Sequence, residues 1–405
     1  MDLRAAFERA LALDEKNDIA AAVACLDAVV DAIPDSPGAL KFAGQLYQRL
    51  GADRQSHRLL TRAVALAPED AELHLSLGFH HVDNAALELA LESFRRHLAL
   101  RPDSELGQTY LGRTLDWLDR LAEAEDALVR AAALDPAAVG PLLQLGRVRL
   151  RRGRLDAADQ AFAAADALDP GNILAEIGHR RARALAKLRP HQPSPPSRDV
   201  TPARDVTVVC VKAGTKYGAD YVIHLAAMVR RNVARPMRFV CFTDDARGLD
   251  GIETQPLPAE GLQGWWNKVA LFRETLPGVS GRVLYLDLDV VITGALDPLL
   301  ATDDAFVVMD NDYVPTFNTS VMLFDIGAHP NLWDDFTPEV AAGLSGDQDW
   351  VALMVPDAAL WPAGWCVPFR LRAAIAPPPE SKVVVFSGRP NPDEYPAAWI
   401  RDYWR

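Results

Sequence analysis

Two aspartates two residues apart, Asp287 and Asp289, stand between apolar runs, Val283-Leu284-Tyr285-Leu286 before them and Val290-Val291-Ile292 after. Side chains alternate along a strand, so the two acids would share one side while Leu286 and Leu288 face the other. Carboxylates converging at the end of a buried strand repel each other unless something positive lies between them. A hard divalent cation carrying a phosphate-bearing ligand is one answer. Two further Asp-x-Asp triplets occur, Asp310/Asp312 and Asp347/Asp349. The elements around each pair must decide among the three.

The second half of the chain alternates strand-like and helix-like segments. Residues 205–212, DVTVVCVK, form a β-branched run; a glycine-punctuated turn follows, then an amphipathic helix over about 221–233. Strands are expected at 238–242 and 252–255, a helix around 266–275, and the strand at 283–286. Strand–helix–strand order implies parallel pairing with crossover helices, a Rossmann-like half. Ligands bind such sheets at the carboxyl ends of the strands. Asp287/Asp289 fall at one such end. Asp310/Asp312 follow a strand at 305–309, and Asp347/Asp349 follow a glycine and open a helix, so the first pair suits a cation best.

The first half is periodic. Prolines recur at 34, 68, 102, 136 and 170, glycines at 44, 78, 112 and 146, and alanines at 90, 124 and 158, each series in steps of 34. This period resembles the tetratricopeptide repeat, a helix-turn-helix unit. The glycine lets helix A approach helix B, and the proline ends each unit because the residue before it is pushed out of the α region. Units are expected at about 3–36, 37–70, 71–104, 105–138 and 139–172, with 173–188 as a solvating helix that caps the stack. Arginines cluster at 147–154 and 180–183, read as a solvated face or as a surface docking on the acidic second half, with an anionic acceptor site as the sharper alternative. His80, His81 and the other repeat histidines read as surface or packing residues rather than ligands. Residues 189–204 carry five prolines and almost no apolar side chain, a semi-extended connector. The expected domains are therefore 1–188, a repeat array of about five units plus a capping helix; 189–204, the linker; and 205–405, an α/β domain.

The net charge is −13, with 25 basic and 29 acidic residues over 1–200 against 17 and 26 over 201–405. That balance argues against a nucleic-acid partner. Cys25, Cys210, Cys241 and Cys366 are scattered without a metal-ligand spacing, as free thiols in a reducing compartment are. With neither a signal-peptide core nor a transmembrane stretch, the expected location is cytoplasmic.

The ordered stretches VVCVKAGTKYG, RFVCFTDD, WWNKVALFR, RVLYLDLDVVITG, FNTSVMLFD, GDQDW and VVVFSGRPNP resemble a GT-A glycosyltransferase over about 205–400, closest to the retaining family 8 type and related bacterial transferases. The resemblance implies an α-solenoid fused to a GT-A (Rossmann-like α/β) domain, moving a sugar from a nucleotide sugar, expected to be a UDP-sugar, to a glycan, peptide or protein acceptor recruited by the repeat groove. It implies Mn²⁺ or Mg²⁺ on Asp287 and Asp289. Val211, Lys212, Ala213 and Tyr217 would hold the nucleoside, and Lys268, Gly388 and Arg389 the diphosphate. Asn318 and Ser320, sharing one strand face, would contact the donor sugar. Asp347 would bind sugar hydroxyls, with Gln348 opposite the leaving group. Trp265 and Trp266 would line the cleft or join the core. The family's third metal ligand is a histidine near the C-terminus; here VVVFSGRPNP has none, and Ser387 is the nearest substitute. That absence favours the alternative, a repeat scaffold or adaptor with a catalytically degenerate transferase-like domain.

Overall fold

Each repeat opens on a capped helix. Ser36, Asp70 and Ser104, themselves 34 residues apart, accept hydrogen bonds from the backbone N–H of Ala39, Glu72 and Gly107 at the starts of helices Pro37–Arg49, Ala71–Asp83 and Glu105–Trp117. Such a cap contributes about 0.5–2 kcal/mol. The partner helices, Asp53–Leu66, Leu87–Leu100 and Leu121–Leu134, end just before the periodic prolines. A Cβ added at Gly78 would stand 2.5 Å from the Phe94 ring, and one at Gly112 2.6 Å from Leu128 Cγ, so the glycines permit the close approach that the sequence predicts. Between the paired helices one residue per repeat takes positive φ: Gly51 at 69°, Ala85 at 56° and Asp119 at 60°. Of the repeat histidines, His74, His80, His81 and His97 are buried packing residues and His57 is exposed; His97 bridges the Ala71 carbonyl and Ser104 Oγ, both at 2.8 Å.

The structure, a computed structural model, describes residues 3–16, 18–188, 206–388, 390–395 and 397–405; the predicted linker and Arg389 lie outside them. It forms two units, one running to Pro141 and the other from Leu142 to Arg405. Among the described residues no helix is long and apolar enough to cross a membrane.

The second unit begins with repeat helices. After Val139–Arg151 come α1 (Leu155–Leu168) and α2 (Ile173–Lys187). The expected solvating cap is instead covered. Ile177 is fully buried in one apolar cluster with Val209, Tyr285, Phe317 and Met322. The Arg181 guanidinium lies 4.4 Å from the centroid of the Phe317 ring and is 9% exposed. Its aliphatic stem and planar head let a charged residue join an apolar contact. Arg147 donates to the carbonyls of Asn311 at 3.2 Å and Asp312 at 2.8 Å, and Gln144 to that of Tyr313 at 2.9 Å.

The strands are β1 (Val206–Lys212), β2 (Arg238–Thr243), β3 (Glu253–Pro256), β4 (Arg282–Leu286), β5 (Val290–Ile292), β6 (Phe306–Asp310), β7 (Phe317–Asp325), β8 (Ala359–Leu360), β9 (Cys366–Pro368) and β10 (Val383–Val385). Helix α3 (Ala219–Arg231) follows β1, and α4 (Asp347–Met354) follows β7. Among the described residues, one sheet has the order β3-β2-β1-β4-β7-β6-β8 and a smaller one β5-β10-β9. As the alternating pattern predicts, β3, β2, β1 and β4 are parallel. Beyond β4 the pairing changes: β7 is antiparallel to both β4 and β6, which makes the sheet mixed. All four cysteines are buried free thiols.

Candidate functional site

The C-terminal ends of β1 and β4 share one edge of the sheet, and antiparallel β7 brings its N-terminal residues to the same edge. The β4–β7 ladder ends at Leu286 opposite Val321, and Asp287 then donates its N–H to the Ser320 carbonyl at 2.9 Å. Asp287 therefore sits just past the strand. Asp289 lies in the turn before β5 and not on a continuing strand, so the two acids meet because the chain turns rather than because side chains alternate. Val290 pairs with Val385, and Phe386 donates its N–H to the Asp289 carbonyl at 3.3 Å, setting Ser387 and Gly388 beside the acids.

A cleft of about 480 Å³ results, lined by both acids and by residues from six separate stretches. Of the residues singled out in the sequence, Val211, Ala213, Tyr217, Lys268, Asn318, Ser320, Asp347, Gln348, Ser387 and Gly388 all line it. Lys212 does not. It alternates to the other face of β1 and is buried there; hydrogen bonds from Cys210 and Arg247 lower the Cys241 and Asp245 pKa values, and the Lys212 charge adds to both. The other Asp-x-Asp pairs also separate. Asp312 is half-buried with Arg372 Nη2 3.8 Å from its Oδ1, an ion-paired structural acid. Asp349 accepts from Ser345 N–H at 3.0 Å and closes the start of α4, leaving Asp347 alone in the cleft.

Within the cleft the acids are bridged. Lys268 Nζ lies 3.0 Å from Asp287 Oδ2 and 3.4 Å from Asp347 Oδ2. Tyr285 donates to Asp287 Oδ1 at 2.7 Å, Tyr217 to Asp289 Oδ2 at 2.6 Å, and Thr319 to Asp347 Oδ2 at 2.6 Å. Burial works to lower the Lys268 pKa, but the charges of Asp287 and Asp347 outweigh it and hold the ammonium above its usual range. Burial, then the Asp287 charge, pushes Asp289 up to about 6 against the Tyr217 hydrogen bond. Burial also raises Asp347, opposed by Lys268 and Thr319. Tyr285 and Thr319 escaped the sequence reading. Tyr285 stands two residues before Asp287 on the same side of its strand, which is the one signal that could have found it.

Trp265 and Trp266 part ways. The segment Gly264–Phe272 is a 3₁₀ helix, in which positions three apart eclipse. Trp265 and Lys268 thus share the cleft face, while Trp266 turns inward, its ring 5.1 Å from that of Phe336.

The site fits a hard cation in part. Three carboxylates, two of them nine-tenths buried, converge on one buried ammonium, which leaves negative charge uncompensated. Asp287 and Asp289 could hold a cation whose remaining ligands are water and phosphate oxygens, the usual arrangement for Mg²⁺. Among the described residues no three His, Cys, Asp or Glu side chains are placed to hold a metal alone. Ser387 Oγ accepts from Asn318 Nδ2 at 3.4 Å at the cleft rim.

Comparison with known proteins bears on the repeats. A family profile described as tetratricopeptide repeat matches residues 43–105. No curated protein matches the chain. Similar solved structures include the crystal structure of MamA protein, 25% identical over 38% of this chain and 84% of that one with a TM-score of 0.36. MamA 41-end from Desulfovibrio magneticus RS-1 is 18% identical over 42% and 96%, TM-score 0.37. YrrB, described as a TPR protein with an unusual peptide-binding site, is 20% identical over 43% and 90%, TM-score 0.35. At these scores the likenesses carry no argument, so the profile match and the 34-residue register stand together. The N-terminal part of the chain is an array of tetratricopeptide repeats, an architecture that binds peptide or protein partners.

Proposed function

We propose that the α/β region is a GT-A-type glycosyltransferase, a hexosyltransferase of the retaining kind, that takes its sugar from a UDP-sugar with the help of Mg²⁺ or Mn²⁺, while the repeat array recruits the acceptor or a partner protein. The observation that carries this reading is the cleft in which twelve of the predicted site residues, drawn from separate stretches, converge at the carboxyl edge of the sheet. Asp287 and Asp289 bind the cation, and Lys216 supplies a further positive charge at the same end. A bound divalent cation would act as a Lewis acid that stabilises the departing diphosphate. Val211, Ala213 and Tyr217 flank the nucleoside; the loop they belong to is pinned where Gly214 N–H meets Asp244 Oδ2 at 2.9 Å. Asn318 and Ser320 orient the donor sugar. Asp347, held by Lys268 and Thr319, accepts hydrogen bonds from its hydroxyls, and Gln348 stands beside it.

The test is calorimetry with UDP and Mn²⁺, followed by turnover of a nucleotide-sugar panel. Asp287→Asn and Asp289→Asn each abolish metal-dependent binding and turnover; full retention of both by either variant defeats the assignment.

A second reading, an adaptor whose α/β region has no turnover, has the repeat match behind it, and of the two it is the one the comparisons favour. Its structural support is Lys268, which already sits between Asp287 and Asp347 as an internal counter-charge. Absence of UDP and Mn²⁺ binding at millimolar ligand, together with peptide capture by the array, selects it.

A further inference from the structure

Trp265 is 54% exposed, yet it lies in the wall of the cleft and not on an open surface. Its neighbours show that this is a built position. Gly264, at φ 55°, opens the 3₁₀ turn, and Asn267 Nδ2 ties that turn shut by donating to the Gly264 carbonyl at 2.9 Å. The three-residue period then sends Val269 into the core, packs the half-buried Trp266 against Phe336 and leaves Trp265 above Lys268 on the cleft side. Opposite stands Gly346, where an added Cβ would be 3.5 Å from Trp265 Nε1. The indole thus neighbours Gly346 just before α4, whose Asp347 is bonded to Thr319 on β7, two strands across the sheet from the β1 end that carries Val211 and Ala213.

We infer that Trp265 is the stacking platform of an acceptor subsite and that the acceptor is a carbohydrate. An indole face held half-exposed, beside hydroxyl-binding carboxylate and amide groups, matches one ligand chemistry above others. A pyranose presents axial C–H bonds on one face and a rim of hydroxyls, so it stacks on the negative ring face while its edge hydrogen-bonds to Gln348, with Asp347 left to the donor sugar. A peptide serine or threonine offers no such face. The inference rests on the transferase reading for its role in catalysis: the stacked sugar places a hydroxyl oxygen to form a new bond to the donor's anomeric carbon. The bond from that carbon to the diphosphate breaks, the nucleoside diphosphate leaves with the electron pair, and the hydroxyl proton passes to the released diphosphate or to water.

The experiment separates the two claims. Malto-, cello-, chito- and mannotriose are titrated against the full chain without donor, by saturation-transfer NMR, alongside a peptide library at equal concentration. At least one trisaccharide binds, and Trp265→Ala weakens it about tenfold or more, with Trp265→Phe between the two. The same trisaccharide then serves as acceptor in nucleotide-sugar turnover, where Trp265→Ala raises acceptor KM more than it lowers kcat. Saccharide binding lost in Trp265→Ala with no turnover by wild type sinks the transferase reading and leaves the carbohydrate platform standing. No saccharide binding, binding indifferent to Trp265, or peptides as the sole acceptors overturns the platform.

Discussion

Replacing Lys268 with methionine keeps most of the side-chain volume and removes the ammonium buried among Asp287, Asp289 and Asp347. The nitrogen is 3.0 Å from one carboxylate oxygen and 3.4 Å from another. At an effective dielectric constant near 20, each contact carries about 5 kcal/mol of Coulomb attraction. Most of that offsets the desolvation of three ions, so the net loss is set by the carboxylates left without a partner, about 3–5 kcal/mol. In a unit of this size each kcal/mol shifts Tm by about 2–4 °C, which makes the expected fall about 10 °C in EDTA. The variant has one way back that the wild type needs less, a divalent cation between the acids. Differential scanning calorimetry in EDTA and then in millimolar Mg²⁺ therefore shows a larger Mg²⁺-induced rise for Lys268→Met than for wild type. Melting at the wild-type temperature in EDTA, or equal Mg²⁺ responses, refutes the electrostatic account of the cleft.

Other outcomes follow from the repeats. Ala85 pays a left-handed backbone cost of about 1–2 kcal/mol that glycine avoids, against about 0.4–1 kcal/mol of extra unfolded-state entropy, so Ala85→Gly raises the array's unfolding free energy, measured by urea titration, by a net 0.5–1 kcal/mol or so. Gly78→Ala forces a Cβ to within 2.5 Å of the Phe94 ring and costs about 1–3 kcal/mol in the same assay. Burial, then the charges of His57 and His81, lowers the His80 pKa to about 4. The unfolded chain therefore binds a proton between about pH 6.5 and 4 that the folded array refuses, and stability falls as pH drops through that window by about 1–3 kcal/mol. His80→Asn flattens this part of the profile in urea titrations at pH 7 and pH 5; an unchanged slope removes His80 as its source.

What the sequence makes legible follows from what repeats or punctuates. Prolines and glycines at a fixed spacing announce the array, because each acts locally: one ends a helix and the other admits a neighbour. The positive-φ position is hidden, since Ala85 and Asp119 stand where Gly51 shows the requirement openly. Strands β1, β2 and β4 declare themselves by apolar runs, but an apolar run has no arrow. FNTSVMLFD reads the same whether β7 is parallel or antiparallel, and only tertiary pairing brings Asn318 and Ser320 to the acids' edge. Alternation alone puts Asp289 on a strand; the turn that positions it is fixed by β5 pairing with β10 some ninety residues on. Tandem tryptophans likewise give no orientation until the 3₁₀ period is known. Arginines at 147 and 181 read as surface charge because their acceptors, the carbonyls at 311–312 and the Phe317 ring, are invisible in the pattern of side chains.

The covered face of α2 has a consequence for the order in which the chain acquires its structure. Arg180 donates to the Leu353 carbonyl across 173 residues of sequence, and Ile177 waits for Phe317 and Met322. Closing loops of that length is slow, and N-terminal segments leave the ribosome first. The array up to Pro141 folds on contacts already synthesised, whereas α2 must stay incomplete until most of the α/β region has emerged. During that interval its apolar stripe is open to chaperones or to a neighbouring chain. A nascent chain stalled before residue 317 is thus a protein with a finished front and an unsealed joint.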